Sequence, residues 1–428
     1  MPNSVSRLVQ EYQIDDTIKG IPGGTESFPL SQIARKAWNV LRQDLPLPLM
    51  VLNRSALFHN IGVMNAFLQA NGLAFAPHAK THMSPQLADL QLASGAWAIS
   101  AGTVNQVQVF RKFGISRIVL ANQLVGRQNL RSIIEALNAD PTFEFYSVVD
   151  SAENVNHLAD MAKEFDLTRP LRVLLEGGFT GGRAGCRTIE RARDVIAQIR
   201  KAHNYISLAG IEGFEGVISH DDPAVGAAQV TKYLEFLNLL LAELKPEDLG
   251  EAKEVILSAG GSAYFDLVAK SFREIEFFLP KRLVLRSGCY LTHDSRLYRE
   301  QQDQRITRGW QGDLLKASFE IWSYVQSIPE NGLAILTMGK RDCPYDYYLP
   351  TPLRRYRAGE TDLDLSSCTI TRLNDQHAYM RFESGMDLRF GDMIASGISH
   401  PCTAFDKWRF IPIVDDEYNV VDGLITYF

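Results

Sequence analysis

LAFAPHAKTHMSPQLADLQLASG, residues 73–95, is the stretch whose reading decides the fold. A short apolar run, LAFA, ends in the polar and titratable PHAKTH, and a stretch of helical period, SPQLADLQLASG, follows. An apolar run too short for a helix, followed by helical periodicity, marks a β–α unit. The unit recurs. AWAISAG precedes VNQVQVFRKFG, RIVLANQ precedes LRSIIEALNAD, and FEFYSVVD precedes AENVNHLADMAKEF. LRVLLEGG leads into TIERARDVIAQIRKA, ISLAGIEGFEG into VTKYLEFLNLLLAEL and VILSAGG into YFDLVAKSF, before KRLVLRSG closes the series. About eight units over about 220 residues match the count and length of an α/β (β/α)₈ TIM barrel. A doubly wound open sheet also alternates, but usually with fewer strands and an early Gly-rich fingerprint, so the barrel is the expected fold.

Beyond about residue 300 the texture changes. SFEIWSYVQSI, GLAILTMG, LSSCTITRLN, HAYMRFE, GDMIASG, WRFIPIVD and VVDGLITYF are strand-like runs broken by Gly, Pro, Asp and Asn, the pattern of antiparallel β structure. The expected organisation is a barrel over 48–299 and a β domain over 300–428, with residues 1–47 packed against that domain. A chain of 428 residues is long for one simple core. Its net charge of −6, without a Lys/Arg-rich run, argues against nucleic acid or an anionic membrane as partner. No apolar stretch approaches ~18 residues, and MPNSVSRLVQEYQIDD has no apolar h-region. Five scattered cysteines (Cys186, Cys289, Cys343, Cys368, Cys402) fit reduced thiols in a cytoplasmic protein.

In such a barrel, chemistry sits where strands end, on the C-terminal face. The polar residues collect there. Lys80 ends the first strand, Ala101-Gly102-Thr103 the second and Asn122-Gln123 the third. Glu176-Gly177-Gly178, followed by Gly182-Arg183-Ala184-Gly185, ends the fifth, and Phe214-Glu215-Gly216 the sixth. Ser258, Gly260, Gly261 and Ser262 end the seventh, and Gly288, Cys289 and Tyr290 the eighth. Glycine lets backbone N–H groups approach an anion, and hydroxyls add donors, so these last two turns are expected to seat a phosphate. A lysine on the rim of a phosphate-binding barrel, flanked by His78 and His82, is the arrangement that holds pyridoxal phosphate covalently. Downstream, His400 and Cys402 stand two residues apart, so on an extended segment they would point the same way. Imidazole and thiolate are ligands zinc prefers, yet two are too few for a closed structural site and suit an open one.

These residues together resemble the family of D-threonine aldolases and D-serine dehydratases, fold-type III pyridoxal-phosphate enzymes with an alanine-racemase-like barrel. PHAKTHMSP resembles the family's lysine motif, and LAGIEGFEG, VILSAGGS, LRSGCYLTHD, LNDQHAYMRF and SGISHPCTAFDKWRF follow in family order. The resemblance covers the chain from about residue 48. It implies Lys80 as the Schiff-base lysine and Gly260, Gly261, Ser262, Gly288, Cys289 and Tyr290 as the phosphate turns. It also implies Arg183 facing the pyridine ring and His400 with Cys402 as the metal pair. Three positions depart from the family pattern. Phe214 stands where a Tyr is common, Met83 where a basic residue follows the second His, and Glu176 where an Asp is more usual.

The expected activity is dehydration and deamination of a D-3-hydroxy amino acid, D-serine or D-threonine, with pyridoxal 5'-phosphate and a divalent metal. Sulfur in the ligand pair leans to Zn2+ over Mn2+ or Mg2+. The alternative is cleavage of Cα–Cβ by an aldolase, for which His82 is a plausible base. A remoter alternative is a non-catalytic pyridoxal-phosphate carrier. His377 is a further candidate if the β domain folds over the barrel mouth. Asp342 and Asp346 read as turn caps or substrate contacts. The resemblance implies a homodimer acting on a small-molecule D-amino acid.

Overall fold

The computed structural model describes residues 4–273 and 275–428. Eight parallel strands form one sheet: β1 (Ala74–Phe75), β2 (Ile99–Ala101), β3 (Arg117–Gln123), β4 (Glu144–Val149), β5 (Leu171–Gly177), β6 (Ile206–Gly213), β7 (Val255–Ala259) and β8 (Lys281–Leu285). A helix follows each, from Pro85–Ala93 after β1 to Leu297–Thr307 after β8. β8 pairs with β1 through Leu285 and Phe75. The other edge closes where the Trp97 N–H donates to the Phe75 carbonyl (2.7 Å) and the Ser100 N–H to the Pro77 carbonyl (3.0 Å). The barrel read from the sequence is therefore the fold, and all eight strand runs fall where the apolar runs lie. Periodicity sufficed because each strand is buried on both faces and each helix on one.

The second sheet is mixed and mostly antiparallel. Its central strand, Phe319–Glu330, pairs antiparallel with Met393–Gly397 and with Leu49–Asn53, and further along its length with Leu333–Leu336. Leu49–Asn53 thus belongs to this sheet, although it was assigned to the barrel from the sequence. The reason lies in its next element. Asn53 accepts the Ala56 N–H (2.8 Å) and caps helix Arg54–Asn71, which ends at Gly72 (φ 62°) and carries the chain across to β1. The N-terminal segment lies on the same sheet. Val40 N–H donates to the Tyr418 carbonyl (3.1 Å), and Lys19 sits 3.6 Å over the Trp408 ring, beside Asp342. Trp322, Trp408, Phe319, Phe405 and Phe410 fill the core of this half, and Phe110, Phe143, Phe145 and Phe272 that of the barrel. Among the described residues no helix is long and apolar enough to cross a membrane.

One glycine is needed for the barrel to close at β6. Gly210 has φ 150°, and a Cβ there would lie 1.9 Å from the Ile256 carbonyl oxygen of β7. Gly210→Ala is expected to cost ~3 kcal/mol or more, because backbone rather than a flexible side chain must move. Denaturant unfolding monitored by tryptophan fluorescence measures the loss; an unchanged midpoint contradicts the packing described.

Candidate active site

Lys80 lies in the short 3-10 turn Ala79–Thr81 directly after β1, and its side chain opens to solvent at the barrel mouth. Gly102, after β2, lies beside both Lys80 and His78: a Cβ built on it would stand 3.5 Å from Lys80 Cδ and 3.8 Å from His78 Cε1, ordinary contact distances. His78 is half-buried, and its Nδ1, which is buried, has no partner. Burial holds its pKa well below the usual histidine range, helped by Lys80, Arg286 and Arg183. Arg183 lies 4.7 Å over the Phe214 ring. Lys80 and Arg183 thus both lie near His78, and Arg183 in turn lies over Phe214.

Beneath them the barrel interior holds a charge network that sequence reasoning missed. Arg286, buried, donates to Ser258 Oγ (2.6 Å) and to the Gly213 carbonyl (2.9 Å), and pairs with Glu212. Burial pushes the carboxyls of Glu212 and Glu215 up. It raises Glu176 to about 8, reinforced by Glu212 and opposed by the Gln123 amide. No spacing announces such contacts, since each joins residues from different strands.

The network alters the expected phosphate seat. Glu215 accepts the N–H groups of Gly260 (3.0 Å) and Gly261 (2.6 Å), so these two are occupied by a protein carboxylate. Ser258 Oγ is committed to Arg286 and the Val284 carbonyl, and the Tyr290 hydroxyl accepts from Gln91 Nε2 (3.3 Å) under the edge of Phe75. Those four residues therefore build the turns without offering the donors foreseen for them. Among the described residues the N–H groups of Ser262 and Gly288 keep no protein partner, and these still border the mouth. Gly288 must be glycine there, because a Cβ would meet the His78 carbonyl oxygen at 2.5 Å.

Cys289 turns away from that seat. Its Sγ lies 3.6 Å from Cys402 Sγ, and Thr81 Oγ1 lies 3.3 Å from Cys402 Sγ and 3.8 Å from Cys289 Sγ. The residue next to Lys80 therefore touches the proposed metal pair. His400 and Cys402 are not on an extended segment: His400 has φ 65° and Cys402 opens the short helix Cys402–Phe405. They come together because the chain turns between them, and the two side chains interact electrostatically. The hydrogen bond from Cys289, together with His400, holds the Cys402 thiol well below its usual range against the pull of burial. Burial lowers His400, but Cys402 and Asp346 outweigh it and push its pKa up to about 9.

Asp346 accounts for the orientation. Its Oδ2 lies 2.5 Å from His400 Nδ1 and its Oδ1 accepts from Thr403 Oγ1 (2.8 Å), so Nε2 is the ring nitrogen that Asp346 does not engage. Of the two aspartates weighed from the sequence, Asp346 serves the site and Asp342 holds Lys19 and the Gly339 N–H. Asp294, unforeseen, receives the N–H groups of His400 (2.8 Å), Arg296 (3.0 Å) and Tyr298 (2.8 Å). Among the described residues no group of three His, Cys, Asp or Glu side chains is arranged around one metal position. The pair His400–Cys402 fits an open metal site with a carboxylate behind its histidine.

Two histidines fall outside the site. His82 is fully buried: its Nδ1 accepts the Ser84 N–H (3.0 Å), so Nε2 carries the proton and donates to Gln91 Oε1 (3.2 Å). Both nitrogens are used and its pKa is lowered to about 4, chiefly by burial, so it cannot act as the base foreseen for it. His377 sits in the turn before Ala378–Arg381, where its carbonyl accepts the Asn374 N–H (2.8 Å), and among the described residues its ring makes no hydrogen bond or ion pair with the residues of the mouth.

His82 makes a prediction about pH. The unfolded chain takes up this proton near pH 6.5 and the folded chain only near 4, so stability falls as pH drops through that window, by up to about 3 kcal/mol. Buried carboxyls with raised pKa push in the opposite direction, which a variant cancels. His82→Gln is expected to lose less stability than the wild type between pH 6.5 and 4.5 in urea unfolding; equal losses contradict a buried neutral ring.

Residues 318–414 match the family described as "Putative serine dehydratase domain". The chain is 25% identical over 384 residues to the D-threonine aldolase of an Arthrobacter species, covering 89% of this chain and 88% of that one. The crystal structure of D-threonine aldolase from Filomicrobium marinum superposes with a TM-score of 0.72 at 20% identity, over 90% of this chain and 95% of that one. D-threo-3-hydroxyaspartate dehydratase from Delftia sp. HT23 superposes with a TM-score of 0.70 at 16% identity, over 91% and 99%. The resemblance read from the sequence holds.

Proposed function

We propose that this chain belongs to the D-threonine aldolase and D-serine dehydratase family and is a pyridoxal-phosphate- and metal-dependent lyase that removes water from a D-3-hydroxy amino acid. The observation that carries the reading is the adjacency of Lys80 and the His400–Cys402 pair, joined by Thr81 Oγ1 at 3.3 Å from Cys402 Sγ. A group held by the lysine and a metal held by the pair would face one substrate.

Lys80 would hold the coenzyme aldehyde, the N–H groups of Ser262 and Gly288 would border its phosphate, and Arg183 with Phe214 would border its ring. The unpartnered, buried Nδ1 of His78 is one more polar atom that a bound ligand would satisfy. Bound there, pyridoxal phosphate supplies an electron sink for negative charge at the substrate Cα. The Lys80 amine would be the group that takes the α-proton. His400 and Cys402 would hold a divalent metal, whose Lewis acidity makes the β-hydroxyl a better leaving group. Asp346 fixes the His400 ring for this, and Thr81 steadies the Cys402 sulfur. The overall outcome would be loss of the β-hydroxyl as water and, after hydrolysis, a 2-keto acid and ammonia.

The aldolase outcome needs a base for the β-hydroxyl proton. His82 was that base, and both its nitrogens are engaged, which favours elimination. Relatives in both branches share the fold, so the product decides. With D-threonine, this reading expects 2-oxobutanoate and ammonia; glycine with acetaldehyde would overturn it. Lys80→Ala is expected to lose at least about 10³-fold in turnover and the visible absorbance of bound coenzyme. Retention of both would remove Lys80 from the mechanism.

A further inference from the structure

Two of the five cysteines meet at the barrel mouth although 113 residues separate them. The other three do not meet another sulfhydryl. Cys186 donates to the Asp150 carbonyl (3.4 Å), Cys343 to the Gly339 carbonyl (3.2 Å), and Cys368 lies 3.5 Å from the Met386 sulfur. Cys402 is half-buried on the mouth side, and Cys289 is fully buried behind it. A sulfur within reach of small oxidants, in contact with a second sulfur shielded from them, is the arrangement of an attacking and a resolving thiol.

We propose that Cys289 and Cys402 are a redox-sensitive pair that closes to a disulfide under peroxide and so withdraws the sulfur ligand from the metal site. The Cys402 thiolate attacks hydrogen peroxide and the O–O bond breaks, giving a sulfenic acid and a hydroxide that is protonated to water. The Cys289 sulfur then attacks the sulfenic sulfur; the S–O bond breaks, and the hydroxide leaves with the Cys289 thiol proton as a second water. Two cysteines lose two electrons and one peroxide becomes two waters. The sulfurs must close from 3.6 Å to about 2.05 Å, a shift of about 1.5 Å by the difference. A disulfide sulfur has no thiolate to give a metal, so the metal-bound and oxidised states exclude each other. That exclusion rests on the proposed reading of His400 and Cys402; the cross-link itself does not.

The test uses the full chain, metal-free or loaded with Zn2+, treated with hydrogen peroxide, alkylated and digested without reductant. The expected result for the metal-free protein is loss of two of its five thiols and a peptide joining Cys289 to Cys402, reversed by dithiothreitol. Zinc is expected to slow its formation ~10-fold or more, because it occupies the attacking sulfur. Cys289→Ser should form no such peptide and should carry Cys402 on to sulfinic acid. Cys402 oxidised while Cys289 of the wild type stays alkylatable overturns the pair. Equal rates with and without zinc overturn the withdrawal of a ligand, and with it the metal reading, while leaving the cross-link standing.

Discussion

The site is held together by one carboxylate. Asp294, on the loop after β8, is buried and accepts three main-chain N–H groups: two from the start of the following helix and one from His400 of the C-terminal region. A carboxylate with that many donors is costly to bury without them and strongly directional with them. It fixes how the C-terminal segment approaches the barrel. Ser295 adds a second tie, its N–H donating to the Ile398 carbonyl (2.9 Å). The positive φ of His400 follows, for the chain must turn sharply to reach both Asp294 with its N–H and Asp346 with its ring.

That clamp makes two separate parts of the molecule chemically adjacent. The barrel alone places Lys80, His78 and Arg183 at its mouth, and the C-terminal region alone carries an imidazole and a thiol. Thr81 and Cys289 from the barrel then touch Cys402, so the sulfur belongs electrostatically to both halves. Beneath this meeting point the barrel interior stays polar, with Arg286 paired to Glu212 of β6. Arginine suits the role because its fork serves Ser258, Gly213 and Glu212 at once.

The legible parts of this protein are those encoded by periodicity or by a local string. Eight apolar runs alternating with helical ones specify the barrel, and PHAKTH specifies where Lys80 sits, just past the first strand. Contacts between distant residues left no such trace. His82 looked like a base because it stands two residues from Lys80, but a 3-10 turn swings its ring into the core, where Ser84 and Gln91 take both nitrogens. Gly260 and Gly261 looked like free donors because glycine permits close approach to any anion; the anion that arrives is Glu215, 45 residues earlier. Asp294, Asp346 and Thr81 are ordinary polar residues in the sequence. Their roles depend on loops that only tertiary packing brings together.

The central claim is that the amine after β1 holds the coenzyme at the same mouth as the imidazole–thiol pair. Borohydride reduction of the full chain loaded with pyridoxal phosphate, followed by peptide mapping, tests it most directly. The account predicts a single phosphopyridoxyl modification, on the peptide containing Lys80. Label distributed over surface lysines, with Lys80 unmodified, would contradict it.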